Sequence, residues 1–218
     1  MKRPRQKAEL LIAIVPVNVL KKSKARLASS LDASARSRLS KAMLTDVLCA
    51  LKRVRRIHRI TVVSADGSVG RIARLTGAHF LREGKRRGLN NALRIAIRDA
   101  VRRKASAALI LPADIPLVTA DEVRNFLRQS NGYPIALTPS RDRGGTNALL
   151  LRPPKIVAPS FGKDSFRRHM TIARGKGLSP GVVKIRGISL DVDEPADLAH
   201  LKRLSLRNET GRLLGSMN

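Results

Sequence analysis

Asp114 stands at the end of a short apolar strand, between two prolines, in Leu109-Ile-Leu-Pro-Ala-Asp-Ile-Pro-Leu117. Pro112 and Pro116 stiffen the backbone on both sides and bias the residues before them toward extended geometry. An acid where a buried strand stops can hold a metal ligand at the edge of a sheet. A strand end with an acidic turn accounts for the same residues. A second acidic cluster lies far downstream, in Ser189-Leu-Asp-Val-Asp-Glu-Pro195. There Asp191 and Asp193 alternate about Val192, so an extended backbone turns both carboxylates to one face. Asp114, Asp191 and Asp193 together, in a chain this basic, suit a Mg2+ ion.

A second group of residues suits anions. The loop Pro16–Leu27 follows the first strand, where phosphate-binding loops are commonly found, and carries Lys21, Lys22, Lys24 and Arg26. It lacks the glycines of a Walker loop or a dinucleotide fingerprint. Anion binding there would rest on side-chain cations and free backbone N–H groups, and a solvated basic loop explains the residues as well. Arg141-Asp-Arg-Gly-Gly-Thr-Asn147 joins two glycines to a hydroxyl and an amide, which fits either an anion nest or a hairpin turn. Ser160-Phe-Gly-Lys-Asp-Ser-Phe166 puts Gly162 and Ser165 at a helix start, a natural phosphate seat. An ordinary helix cap, made by Asp164 or Ser165, is the other reading. His58, His79, His169 and His200 are scattered without metal spacing, and His169, near the phosphate seat, reads as a surface residue. Neither a Ser-His-Asp nor a Cys-His arrangement suggests itself. Basic and backbone contacts beside carboxylates fit metal-assisted phosphoryl or nucleotidyl transfer, where catalysis is positioning and charge neutralisation.

The elements that must position these groups follow from hydrophobic pattern. Leu10–Val17 is a continuous apolar run of strand length, as in a buried parallel strand. A helix is expected over Ala33–Val54, with Asp32 as N-cap and Leu39, Met43, Val47, Leu51 and Val54 as its stripe. Arg59–Ser64 reads as a strand, Val69–Thr76 as a helix and Ala78–Leu81 as a strand. Leu89–Arg103 is then helical, and Ala107–Leu111 is the strand behind Asp114. Thr119 and Glu122 form a capping box for the next helix. Pro134–Leu137, Ala148–Leu151 and Val182–Ile185 are further strands, Ser165–Arg174 is a helix, and Pro195 opens a last helix through Leu204. Alternating strands and helices predict an α/β fold with a mostly parallel sheet. In such sheets ligands bind beyond the carboxyl ends of the strands, where Asn18–Arg26 and Asp114 both fall.

Composition bounds the rest. The 218 residues are 43% hydrophobic, enough for one domain spanning the chain, with a core over residues 8–204, a flexible basic arm at 1–7 and a frayed tail at 205–218. Lys and Arg number 44 against 16 Asp and Glu, a formal net charge of +28, so anionic partners are expected. Only 2% of residues are aromatic, which removes the stacking platforms of a single-strand binder and makes nucleic acid a disfavoured partner. The single cysteine, Cys49, excludes an internal disulfide framework, fits a reducing cytoplasm and reads as a small buried thiol. No stretch approaches a membrane span. A homodimer is left open.

Ile14-Val-Pro-Val17 with Lys24-Ala-Arg-Leu27, Gly88-Leu-Asn-Asn-Ala92, Leu111-Pro-Ala-Asp-Ile-Pro116, Gly145-Thr-Asn-Ala-Leu-Leu150, Phe161-Gly-Lys-Asp-Ser-Phe166 and Leu190-Asp-Val-Asp-Glu-Pro195 occur in that order. Taken together they resemble the CofC/FbiD family, guanylyltransferases of deazaflavin-coenzyme biosynthesis, over roughly residues 10–200. The resemblance implies a three-layer α/β/α sandwich of the nucleotide-diphospho-sugar transferase-like, GT-A type. It implies GMP transfer from GTP to 2-phospho-L-lactate, phosphoenolpyruvate or 3-phospho-D-glycerate. It further implies that Asp114, Asp191 and Asp193 hold Mg2+, and that Thr146, Gly162 and Ser165 seat the acceptor's phosphate and carboxylate. Lys21, Lys24 and Arg26 would meet the triphosphate. Asn90 and Asn91 would face the nucleoside, with Gly88 and Asn147 also on the GTP side. Asn18 departs from the family, where many members carry lysine. Two rivals remain: a nucleotidyltransferase of the same fold with a sugar-phosphate or molybdopterin acceptor, disfavoured because Val15–Arg26 has no glycine, and a basic nucleic-acid-binding protein, which leaves the acidic triplet unexplained.

Overall fold

The apolar run after the arm forms β1 (Leu11–Pro16), and all its residues are buried. A strand buried on both faces needs cover on both, which helical crossovers between parallel strands provide. In the computed structural model, which describes residues 9–20, 24–84, 88–142 and 144–217, β1 pairs in parallel with β2 (Ile57–Ser64) and with β4 (Ala107–Ile110). The arm at 1–7 and the expected triphosphate ligand Lys21 lie outside the described residues, as does Lys22. β3 (His79–Arg82) is parallel to β2, whereas β6 (Thr146–Leu151) runs antiparallel to both β4 and β5 (Ile135–Pro139). β7 (Gly181–Val182) closes the far edge in parallel with β5, giving a seven-stranded order β3-β2-β1-β4-β6-β5-β7.

Alternation along the strands divides the core between two faces. Leu11, Ala13 and Val15 of β1, Leu109 of β4 and Leu150 of β6 pack with α1 (Ala33–Lys52), α2 (Gly67–Leu75) and α4 (Ala120–Gln129). Ile12, Ile14, Ile110, Leu149 and Leu151 pack with α3 (Leu89–Arg102) and α5 (Ser165–Gly175). Two helical layers on a mostly parallel sheet make the expected α/β/α sandwich. Local signals fix several helix starts. The Asp32 side chain accepts the Ala35 N–H at 2.7 Å, and Thr119 and Glu122 form a reciprocal capping box on α4.

Three expectations need correcting. Val182–Ile185 does not continue as a strand: only Gly181–Val182 joins β5, and the chain then enters α6 (Arg186–Ser189), whose Gly187 N–H is held by Glu122 Oε1 at 2.8 Å. Cys49 is exposed rather than buried. At 100° per residue it projects opposite the stripe of Met43, Leu44, Val47, Leu48 and Leu51, so helix phase outweighs its apolar sequence neighbours. The tail is not frayed throughout, because Glu209–Gly215 forms α8 after α7 (Pro195–Lys202). Asn208 caps α8 by accepting the Gly211 N–H at 2.9 Å, and Leu214 packs with Leu39 and Met43 of α1. Asp46, in the middle of α1, accepts the N–H groups of Glu209 at 2.8 Å and Thr210 at 2.9 Å, two donors that a helix start otherwise leaves without partners.

Asp46→Ala removes the acceptor of both N–H groups at a junction that is largely closed to water. The expected loss is about 1–3 kcal/mol of unfolding free energy, read as a lower urea midpoint at unchanged slope. A midpoint equal to that of the parent would contradict the docking of α8 on α1.

Candidate functional site

Asp114 lies just beyond β4, and the loop after the neighbouring β1 reaches it, so both stand at the carboxyl ends of parallel strands. Lys24 is the meeting point. Its Nζ lies 2.6 Å from Asp114 Oδ2 and 2.7 Å from Asp193 Oδ1, with the lysine side chain only 7% exposed. Its backbone is left-handed, at φ 56, and opens the 3-10 turn Ala25–Ser29. Burial disfavours the ammonium, but the charges and hydrogen bonds of Asp114 and Asp193 outweigh it and raise the lysine pKa. A backbone bond from the Val192 N–H to the Asp114 carbonyl, 3.0 Å, ties the same two segments together.

The acidic loop is shaped by what lies under it. Leu190 and Val192 are buried in an apolar cluster with Leu27, Leu39, Met43, Leu198, Leu201 and Leu214, while the alternate residues Asp191 and Asp193 stay partly exposed. The alternation anticipated about Val192 is therefore present. Asp197, in the first turn of α7, accepts the N–H groups of Asp193 at 3.1 Å and Glu194 at 2.9 Å and is paired with Arg141 at 2.7 Å. Asp191 turns to β6, where Asn147 Nδ2 donates to its Oδ1 at 3.0 Å. Burial is the main cause that pushes the Asp191 carboxyl up, and the charges of Asp114 and Asp193 add to it against the Asn147 bond. Among the described residues no three acid, histidine or cysteine side chains are grouped so as to enclose a metal by themselves. Asp114 and Asp193 do converge on one cation, and that cation is Lys24.

The other half of the site gathers at the start of α5. Gly162 has φ 118, a conformation that a side chain would strain, and Asp164 at the N-cap is left-handed with no side-chain cap bond. Ser165, almost fully buried, has its Oγ 3.3 Å from Thr146 Oγ1, and Thr146 is 3.1 Å from His169 Nδ1. His169 is fully buried, contrary to its reading as a surface residue. It sits one helical turn after Ser165 on the inward face of α5, and burial together with the neighbouring Arg168 charge lowers its pKa to about 4, so the ring is neutral. Thr146 and Asn147 are successive residues of β6 and so serve opposite faces: one joins the hydroxyl pair, the other reaches Asp191. The described residues of the turn between β5 and β6 bond largely to one another. Asp142 accepts the Gly144 N–H at 3.0 Å and the Ser140 hydroxyl, and Ser140 Oγ accepts the Gly145 N–H at 2.7 Å, as a hairpin turn requires.

The expected nucleotide contacts are distributed unevenly. Gly88, at φ 126, is the N-cap of α3. Asn90 is engaged on both sides by the backbone of Phe161, accepting its N–H at 2.8 Å and donating to its carbonyl at 3.0 Å, which locks α3 to the loop before α5. Asn91 faces Glu83 and Arg94, at 3.4 and 2.6 Å. Arg26 is 71% exposed and 3.7 Å from Glu194, and Asn18 is exposed on the loop after β1. The residues not foreseen were Asp197, Arg141 and the buried His169. Glu194-Pro-Ala-Asp197 is a helix-start pattern with an acid at the third helical position, so the capping role of Asp197 was readable; its pairing with Arg141 was not.

Residues 11–204 match the family described as "Guanylyl transferase CofC like". The phosphoenolpyruvate guanylyltransferase of Sphaerobacter thermophilus is 41% identical over 191 residues, covering 87% of this chain and 91% of the relative. The 2-phospho-L-lactate guanylyltransferase of Methanothermobacter thermautotrophicus is 38% identical over 189 residues, covering 87% and 82%. Among solved structures, a Desulfovibrio desulfuricans G20 protein assigned as a nucleotide-diphospho-sugar transferase superposes with a TM-score of 0.78 at 18% identity, over 95% of each chain, which supports the fold. Sequence blocks, sheet order and relatives agree, and the chain belongs to the family of CofC-like guanylyl transferases.

Proposed function

We propose that this protein transfers GMP from GTP to a small phosphorylated three-carbon acid, releasing pyrophosphate, as a step in the biosynthesis of deazaflavin coenzyme F-420 in the cytoplasm. The observation that carries the reading is the convergence of Asp114 and Asp193 on one cation, 2.6 and 2.7 Å away, beside the start of β6, whose first residue, Thr146, joins a hydroxyl pair with Ser165 at a helix N-terminus. One half suits a nucleotide triphosphate and its counter-ion. The other suits the phosphate and carboxylate of a short acid.

The donor set fits Mg2+. Two hard carboxylate oxygens already gather a cation, and Mg2+ is commonly bound through one or two carboxylates with substrate phosphates and water completing the shell. Asp114 and Asp193, with Asp191 beside them, are the residues that would hold it, and the ion would supply charge neutralisation at the triphosphate. The acceptor phosphate is already ionised, so one of its oxygens can attack the α-phosphorus without a side-chain nucleophile or strong base. This chain's residues then position rather than react. Asn147 and Asp197 hold the acidic loop, Thr146, Gly162 and Ser165 orient the acid, and Lys24 and Arg26 offer cations to the phosphates. Relatives are named for each of phosphoenolpyruvate, 2-phospho-L-lactate and 3-phospho-D-glycerate.

Pyrophosphate release from GTP and Mg2+ with each of the three acids in turn should be supported by at least one of them and abolished by chelation. If none supports release, the reading fails. Asp114→Asn should lower that release by about 10²-fold or more while leaving the thermal midpoint near that of the parent. Near-normal turnover in this variant would sink the metal assignment.

Lys24→Met separates the two cations. Without the ammonium, Asp114 and Asp193 are left facing one another, so Mn2+ binding measured by calorimetry without nucleotide should tighten while turnover falls. Unchanged Mn2+ affinity would mean that these carboxylates are not a divalent-cation site.

A further inference from the structure

The hydroxyl pair of Thr146 and Ser165 has a direction, and His169 sets it. His169 is fully buried, and its Nε2 accepts the Ser160 N–H at 2.9 Å. That nitrogen therefore presents a lone pair, and in the neutral ring the proton sits on Nδ1. Nδ1 faces Thr146 Oγ1 at 3.1 Å and also meets the backbone of Ser165, one turn back on α5, so the imidazole N–H is shared between them and the threonine oxygen accepts. Thr146 Oγ1 lies in turn 3.3 Å from Ser165 Oγ. One of these hydroxyls donates to the other. Whichever does, one O–H proton is left without a protein acceptor among the described residues. The opposite tautomer would set Nε2–H against the Ser160 N–H. It would also make Nδ1 an acceptor that takes up the threonine proton, leaving the pair to present lone pairs outward.

We propose that His169 is a positioning residue: by donating to Thr146 from Nδ1 it sets the Thr146–Ser165 pair to donate outward, to an anionic oxygen of the phosphorylated acid. Carboxylate and phosphate oxygens accept and cannot donate, so a pair with this polarity welcomes them and the reverse polarity opposes them. The inference rests on the assignment of this half of the site to the acceptor. It adds a residue that touches no substrate and acts through one that does. The sequence string Ser165-Phe-Arg-Arg-His169 places the imidazole one turn behind the serine, on the same face of α5.

His169→Leu should raise KM for the acid about tenfold or more, the loss of a bond to a charged group, with KM for GTP unchanged. His169→Asn keeps an N–H near the position of Nδ1 and should recover most of the loss. Should the leucine variant fail to fold, Thr146→Val gives the same comparison, and its combination with His169→Asn should be no worse than Thr146→Val alone. Parallel losses for both substrates, or a fall in kcat that follows the folded fraction with both KM values intact, would overturn the proposal. The imidazole 15N spectrum of the parent protein decides the polarity independently of turnover. A protonated Nδ1 with a bare Nε2 supports the proposal, and the reverse overturns it. Were the parent silent toward all three acids, the functional reading would fall, and the spectrum would still decide the direction of the hydroxyl pair.

Discussion

The site depends on one buried ammonium. Lys24 joins Asp114 and Asp193, residues 90 and 169 positions away in sequence, and so fastens the loop after β1, the loop after β4 and the acidic loop before α7 to one another. Taking an ammonium out of water costs several kcal/mol, on the order of what its ion pairs must return, and a single partner would return less. The lysine also holds a left-handed backbone, at φ 56, which a residue with a side chain adopts at a cost of about 1–2 kcal/mol. Two short ion pairs oppose that tendency to relax. The same arrangement makes the two carboxylates convergent without help from a ligand.

How much of this was legible follows from the range of each interaction. β1 was readable because burial on both faces requires an unbroken apolar run, and α4 because Thr119 and Glu122 signal their own cap. The two-sided alternation of Leu190-Asp-Val-Asp193 was readable for the same local reason. Long-range partners were not. Nothing near Lys24 in sequence names Asp193, nothing near Asn147 names Asp191, and Asp46 gives no sign of the α8 start it caps. Cys49 was misread by neighbourhood, although the helical period alone would have turned it to solvent. His169 was misread because the sequence offered no metal spacing, and an imidazole that orients hydroxyls leaves no such spacing to find.

Two successive residues show how the strand divides the work. Thr146 and Asn147 open β6, which runs antiparallel to β4, so its first residues lie near the end of the sheet from which Asp114 emerges. Adjacent strand residues point to opposite faces. Thr146 therefore meets α5 while Asn147 meets the acidic loop, and each is almost fully buried. The distance between the two halves of the site is thus fixed by one peptide unit, a much stiffer spacer than a loop, and a displacement of β6 would move both halves together.

The net charge of +28 invites the view that anions are recognised by charge, but the cations around the site argue otherwise. Lys24 is paired with two carboxylates, Arg141 with Asp197, and Arg168 with the Ser160 hydroxyl and the carbonyls of Ser160 and Phe161. Arg141 and Arg168 are thereby committed to building the frame, and Lys24 belongs to the acidic side of the site rather than to the α5 end. At the α5 end the first helical N–H groups are already taken, Ser165 by the Gly162 carbonyl at 3.1 Å and Phe166 by the Gly144 carbonyl at 3.4 Å, so on the proposed reading the donor left for an acid is the neutral hydroxyl pair aimed by His169. An ammonium accepts any anion that reaches it, whereas fixed N–H and O–H donors select by the direction of lone pairs. The three candidate acids share a phosphate and a carboxylate but differ by a methyl, a double bond or a hydroxyl, and 3-phospho-D-glycerate sets its two anionic groups one carbon further apart. On the proposed reading, oriented hydroxyl donors tell such acids apart in a way that surface charge cannot, and the basic exterior is left to raise the local concentration of anions without choosing among them.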